Sequence, residues 1–473
     1  MLNKCQIFTP IEYVNKILEI IEYHGSKILE KRLLENSCGD GNILVEVVER
    51  YINEAIKANY SKHQIKNSLE KNIIGFEIDN KVLEKCLFNL DKKASEYSIS
   101  DVKWNISSKD YLKTKLSFKV DYVVGNPPYI MYQSIGLEDR MYLKENFESC
   151  KSGKFDYCYA FIEKSYIDLV SKTGKMVYLI PNSIFKNVFG QNLRNILVDS
   201  LVSIHDYKVN NIFNNATTSS AIVYLDKNNK KDDFKYVDID FGVKKNLLKR
   251  DMIDCKWLFS DVIPMEGNKQ FSEFFEVGNS VATLFNEAYV IKEYEQDEDS
   301  KLIKIGDFKI EKDVLRYAGS PRALAKNKSE FILFPYRYAN KKLVRYSDDE
   351  FLEKFPNAYK YLLNHKNKLD NRNSDISARW FEYGRSQALS HLDQPKLLVS
   401  SIITNGVAVY ELDSNAIPYS GFYITSKGNA DLQVAKEILE SKNFFKHLTT
   451  HGINANGKSL RFSVNDIKNF VIY

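Results

Sequence analysis

Over its first 227 residues this chain alternates short apolar runs with amphipathic helical stretches, a rhythm that restricts the fold more than any other feature of the sequence. The candidate strands are Leu33–Ser37, Ile73–Ile78, Val102–Ile106, Val120–Val124, Lys175–Pro181, Val202–Val209 and Ser219–Leu225. Helical periods lie between several of them. Ile11, Val14, Ile17, Leu18 and Ile21 share one face, and another pattern runs from Phe155 to Val170. Such alternation predicts an α/β domain on a doubly wound, mostly parallel sheet. Ligands of these sheets sit at the carboxyl ends of the strands. The last two candidates are joined by the polar loop Asn210–Thr218, too short for a crossover helix, and are expected to pair antiparallel.

The strand ends carry the chemistry. Val120–Val124 leads through Gly125 into Asn126-Pro127-Pro128-Tyr129. An aromatic amine is a poor nucleophile because its lone pair is delocalised into the ring. The Asn126 side-chain oxygen and the Pro127 carbonyl can both accept from such an NH₂ group. That pushes the nitrogen towards tetrahedral geometry and aims its lone pair at an electrophile in line, so that positioning supplies much of the catalysis. The two prolines restrict the backbone and remove two N–H donors. Tyr129 can stack on one face of the ring, and Phe213, in the Asn/Thr-rich loop, is a candidate for the other. A base in a duplex must be rotated out of the stack to reach such a corner.

Three earlier strand ends offer a place for an adenosine-containing ligand. The first runs into Glu35-Asn36-Ser37-Cys38-Gly39-Asp40-Gly41, a two-glycine turn before a helix. The third glycine of a dinucleotide fingerprint is missing, which lowers the case for NAD. The second strand ends near Glu77, placed to hold ribose hydroxyls. The third ends near Asp110, which can accept from an adenine amine, and Tyr111, which can flank the ring. Upstream, Thr9, Pro10 and Glu12 read as N-cap, N1 and N3 of a capping box.

In this order the motifs resemble the gamma class of S-adenosylmethionine-dependent adenine-N6 DNA methyltransferases. Phe8-Thr9-Pro10 comes first, then Glu35–Gly41, Glu77, Asp110, Asn126–Tyr129 and the Phe213 loop. The resemblance covers the first 230 residues in detail. Later it rests on Phe355-Pro356 through Leu369 and on Trp380-Phe381-Glu382-Tyr383-Gly384-Arg385. It implies a class I methyltransferase sheet with an antiparallel last strand. It implies S-adenosyl-L-methionine as donor, S-adenosyl-L-homocysteine as product, and no metal. Thr9, Glu35, Cys38, Gly39, Gly41, Glu77, Asp110 and Tyr111 would then contact the donor. Asn126, Pro127 and Tyr129 would hold the amine and base, with Phe213 on the opposite face. Where the family's glycine loop usually has proline, this chain has Asn36.

Charge and length complete the expectation. A chain of 473 residues exceeds one ordinary core. Residues 301–473 hold 27 Lys and Arg against 18 Asp and Glu, leaving 40 against 44 in the rest, so an anionic partner is expected mainly on the second part. The expected division is a catalytic domain over 1–240 and a mixed α+β target-recognition domain over 241–473, after the charged stretch Lys227–Asp233. The resemblance implies double-stranded DNA as partner and allows a separate cognate restriction endonuclease, the chain acting as a monomer. Arg337, Lys341, Lys342, Arg345, Arg372, Arg379 and Arg385 are the candidates for DNA contact, since Arg reads guanine and Lys meets phosphate. Six scattered cysteines without C-x-x-C spacing, no leader pattern and no apolar run near roughly 20 residues point to a reducing cytoplasm and no membrane. Three rival readings stay open: a methyltransferase of RNA bases, one of protein glutamine amides, and a non-catalytic DNA-binding subunit. No Asp…Glu-x-Lys nuclease pattern is evident, so modification without cleavage is expected.

Overall fold

The computed structural model describes residues 9–207, 219–239, 242–259, 269–296, 301–340, 342–455 and 459–472. These residues fall into two compact units, one reaching residue 259 and the other beginning at 269.

The first unit is built on a nine-stranded sheet. Its strands are β1 (Leu33–Glu35), β2 (Ile73–Phe76), β3 (Asn105–Ser107), β4 (Tyr122–Gly125), β5 (Lys175–Pro181), β6 (Leu201–Asp206), β7 (Ser220–Asp226), β8 (Asp233–Asp238) and β9 (Val243–Leu248), in the spatial order β3-β2-β1-β4-β5-β7-β6-β8-β9. Neighbouring strands among β1 to β5 pair parallel, with Glu35 beside Gly75 and Gly125 beside Tyr178. β7 is antiparallel to both β5 and β6, as expected for the last two candidates. All of β1, β2 and β4 is buried, which is why these strands read as unbroken apolar runs rather than alternations.

Five helices frame the strand ends: α1 (Ile11–Ile20), α2 (Asn42–Lys57), α3 (Lys62–Asn72), α4 (Asn80–Glu96) and α5 (Leu137–Asn146). A sixth, α6 (Cys158–Asp168), occupies the centre of the Phe155–Val170 pattern. Two apolar cores contain alternate residues of the central strands. Leu34, Val123 and Met176 belong to one, and Leu33, Val124 and Val177 to the other. That is the signature of a sheet covered on two sides.

Two expectations need correction here. The sheet does not stop at β7, because Lys227–Asp233 leads into β8, which pairs parallel with β6 and antiparallel with β9. A boundary at 240 therefore falls between two paired strands. The capping box at Thr9 is also absent: Pro10 is the N-cap of α1 and no side chain caps it.

The second unit is strand-rich. Strands Phe275–Asn279, Phe422–Ser426, Lys396–Val399 and Val409–Leu412 form one antiparallel sheet. The stretch from Phe355 through Asp370 holds two helices, Pro356–Leu363 and Lys366–Asp370, separated at Asn364 and His365. A further helix is Leu432–Glu440, with the Asp431 side chain accepting from the Gln433 amide.

Candidate active site

Parallel pairing of β3, β2, β1, β4 and β5 sets their carboxyl ends along one edge of the sheet. The residues following those ends are Asp110, Glu77, Glu35–Gly41 and Asn126–Tyr129, so register alone gathers candidates that lie far apart in sequence.

Hydrogen bonds lock the edge together. The Cys38 amide donates to the Phe76 carbonyl at 2.9 Å, and the Gly39 amide donates to Glu77 Oε2 at 3.0 Å. Glu77 Oε1 accepts from the Asp79 amide at 2.9 Å, and Asp79 caps α4 by accepting from Lys81 and Val82. Gly41 has φ +91°, and a Cβ there would lie 2.9 Å from Cys86 Sγ, so the turn admits only glycine without a shift. Ser37 Oγ donates to the Asn126 carbonyl at 3.2 Å. That bond joins the glycine turn directly to the Asn-Pro-Pro-Tyr corner.

Within that corner, Asn126 Nδ2 donates to Thr9 Oγ1 at 3.4 Å, which brings Thr9 to the amide. Pro127 is buried. The Tyr129 hydroxyl donates to the Leu179 carbonyl of β5 at 2.8 Å, fixing the direction of the ring. Asp156 lies beside this segment: the Tyr157 amide donates to the Ile130 carbonyl at 3.0 Å. Burial pushes the Asp156 carboxyl up to about 6 although the amides of Cys158 and Ile130 favour its charged form.

The electrostatics of the edge are lopsided. Burial pushes Glu35 well above the usual carboxylate range, and the charges of Cys86, Asp40 and Glu77 push it the same way. Burial also raises Asp40 and Glu77. Glu35 Oε2, Asn36 Oδ1 and Asp40 Oδ1 are buried with no hydrogen-bond partner among the described residues. Buried acceptors cost free energy until a donor reaches them. A ligand carrying positive charge and hydroxyl donors matches this set. Among the described residues no group of His, Cys, Asp and Glu could hold a metal ion.

One expected donor contact is placed differently. Tyr111 is buried in the core, against Phe76 and Phe161, with the Lys164 ammonium 4.4 Å from its ring centre. Its hydroxyl donates to Asp168 at 2.9 Å, so its faces are already covered. Asp110 lies at the edge, where its Oδ1 accepts from the Leu112 amide at 2.9 Å. Phe213 lies outside the described residues. Three groups escaped the sequence reading: Ser37, Asp40 and Asp156. The anchor of Asn36 was equally invisible there: its Nδ2 donates to Ser165 Oγ at 2.6 Å, in the place where the family usually has a proline.

In the second unit the arginine candidates divide. Arg372 is a strut: its guanidinium donates to the carbonyls of Leu369, Thr283, Trp380 and Glu382 at 2.6–3.0 Å, and to the Tyr289 hydroxyl at 3.3 Å. Arg345 and Arg379 converge on the buried carboxylate of Glu382. These three are committed inside the fold, which corrects their reading as base or phosphate contacts. Arg337, Lys342 and Arg385 are exposed. Lys341 lies outside the described residues.

Comparison with known proteins meets this geometry at the same residues. Residues 23–213 match the Eco57I restriction-modification methylase family. That stretch holds the glycine turn, Glu77, Asp110 and the Asn-Pro-Pro-Tyr corner. The chain is 24% identical to the Type II restriction enzyme and methyltransferase RM.Eco57I of Escherichia coli, across 92% of this chain and 52% of that one. It therefore spans about half the length of that relative. It is 23% identical to the Type II methyltransferase M.BstVI of Geobacillus stearothermophilus, across 96% of this chain and 87% of that one. Among solved structures it shares a fold with the Type IIL restriction-modification enzyme MmeI, determined in complex with DNA. The TM-score is 0.63 at 14% identity, over 97% of this chain and 65% of that one.

Proposed function

We propose that this chain is a restriction-modification DNA methyltransferase that moves a methyl group from S-adenosyl-L-methionine to N6 of an adenine rotated out of a short duplex motif. The observation that carries the reading is the Ser37–Asn126 bond, which joins an acidic glycine turn to an amine-gripping corner. The matches to methyltransferases of restriction-modification systems support it.

The donor supplies an electrophilic methyl on a cationic sulfonium. The buried acceptors of Glu35 and Asp40 suit its positive charge and its hydroxyls. Asn126 and the Pro127 carbonyl orient the amine, and Tyr129, tied to β5, offers a ring to stack on. Phe213 remains the proposed second wall. The methylated nitrogen is acidic and releases its proton afterwards, so no strong base is required.

The test combines transfer and binding. Asn126→Ala should lower methyl transfer to duplex DNA by at least about 100-fold, since each 1.36 kcal/mol of lost positioning is tenfold in rate. Donor affinity, measured by calorimetry, should change little. Mass spectrometry of nucleosides from treated DNA identifies the methylated base. Near-normal transfer by the variant, or a methylated cytosine, would overturn the assignment.

A further inference from the structure

The second unit contains a groove of about 720 Å³ that none of the arginines committed to Glu382 or to carbonyls touches. Its rim carries Arg461, Asn279, Ser280, Ser401, Ser420 and Asn465, and no acidic residue lines it. The framework is rigid. The Ser280 amide and hydroxyl both donate to the Gly421 carbonyl, at 3.1 and 2.8 Å. Gly421 has φ +91°, and a Cβ there would stand 2.3 Å from the Val399 carbonyl oxygen, so the rim admits only glycine. The Phe462 amide donates to the Ser401 carbonyl at 3.2 Å, and Phe422 and Phe462, both buried, meet edge to face at 5.6 Å below the rim.

What separates Arg461 from Arg345, Arg372 and Arg379 is the state of its charge. Its backbone is paired with Ile402 and Ile453, which holds the residue in register. Its guanidinium forms no hydrogen bond or ion pair among the described residues, and the same holds for the side chains of Ser401, Ser420 and Asn465. One cation among neutral hydroxyl and amide donors, with no carboxylate among the lining residues, suits a singly charged oxyanion such as a phosphodiester.

We infer that this groove seats a backbone phosphodiester of duplex DNA, with Arg461 as its cation and the side chains of Ser401, Ser420 and Asn465 as neutral donors. The inference rests on the proposed function for its partner. It adds a position at which the duplex is held, independent of base sequence, on the second unit.

The experiment is fluorescence anisotropy of a labelled DNA duplex with the full chain across a salt series, for wild type, Arg461→Gln and Arg461→Lys. Losing one phosphate contact should weaken binding roughly three- to tenfold and reduce the slope of log affinity against log salt by about one. The loss should be the same for unrelated sequences, and Arg461→Lys should recover most of it. Thermal melting and donor affinity, unchanged in Arg461→Gln, show that the variant is folded. Wild-type binding with an unchanged slope in Arg461→Gln overturns this inference alone. A wild type that does not bind duplex DNA overturns the proposed substrate, and this site with it. An RNA duplex bound as tightly, with the same loss in Arg461→Gln, overturns the assignment to DNA.

Discussion

Two polar clusters in this chain look alike as lists of charged residues and differ in what surrounds them. At the strand ends of the first unit, Glu35, Asp40 and Glu77 crowd together, and two of the three carboxylates keep a buried oxygen without a partner among the described residues. In the second unit Glu382 is equally buried, yet both its oxygens are taken by Arg345 and Arg379, while Arg372 is spent on carbonyls. The first cluster is under-satisfied and has something to offer a ligand. The second is complete and holds its own unit together. Unmet hydrogen-bonding capacity, rather than charge, separates a candidate site from a strut.

The largest effect should come from breaking the complete cluster. Glu382→Ala leaves two guanidinium groups without their carboxylate, and removing one partner of a buried ion pair costs about 3–5 kcal/mol. Arg345 and Arg379 are partly exposed, so the low end of that range is expected. Urea unfolding of the full chain measures it. A loss below about 1 kcal/mol would mean that these arginines are available for DNA after all.

A smaller effect tests the incomplete cluster. Because burial raises the Glu35 carboxyl, the ligand-free protein keeps a proton there to higher pH than an exposed carboxylate would. Binding a cationic methyl donor favours the ionised form, so binding should release protons and tighten as pH rises towards the raised value. Calorimetry of S-adenosyl-L-methionine in buffers of different ionisation heat reads the proton count directly. Glu35→Gln should reduce both the proton release and the affinity. Proton uptake on binding would contradict this picture of the edge.

The same contrast explains what the sequence could and could not reveal. Strands β1, β2, β4 and β5 were legible because both their faces are buried and, Glu35 and Lys175 at their ends apart, they carry no charged residue. β9 was not, since Val243-Lys244-Lys245-Asn246 reads as polar surface, and the strand is held by its partner β8 with Leu247 packed against one core. The glycine turn and Asn126–Tyr129 were legible because unusual residues stand together. Arg372 and Arg345 looked like DNA contacts for the same reason, being arginines in a basic region. Arg461, flanked by Leu460 and Phe462, carried no such signal. Whether an arginine is occupied depends on partners such as Thr283 for Arg372 and Glu382 for Arg345, which lie far along the chain and which only the fold brings near.

Asp156 gives the smallest and most local test. Its carboxyl is pushed up to about 6 by burial, against about 4 in an unfolded chain. Folding therefore favours the protonated form. The stability this contributes is fully present below pH 4 and is lost as pH rises through 6, on the order of 2 kcal/mol in all. Asparagine keeps an oxygen that accepts from the Cys158 amide, where Asp156 Oδ1 now accepts at 3.1 Å, and it has no charge to bury. Asp156→Asn should therefore flatten the stability profile between pH 4 and 6 and leave the variant at least as stable as the wild type at pH 8. If the wild type instead gains stability across that window relative to the variant, Asp156 is held as a charged group. It would then belong with Glu382 among the satisfied carboxylates rather than with Glu35 at the strand ends.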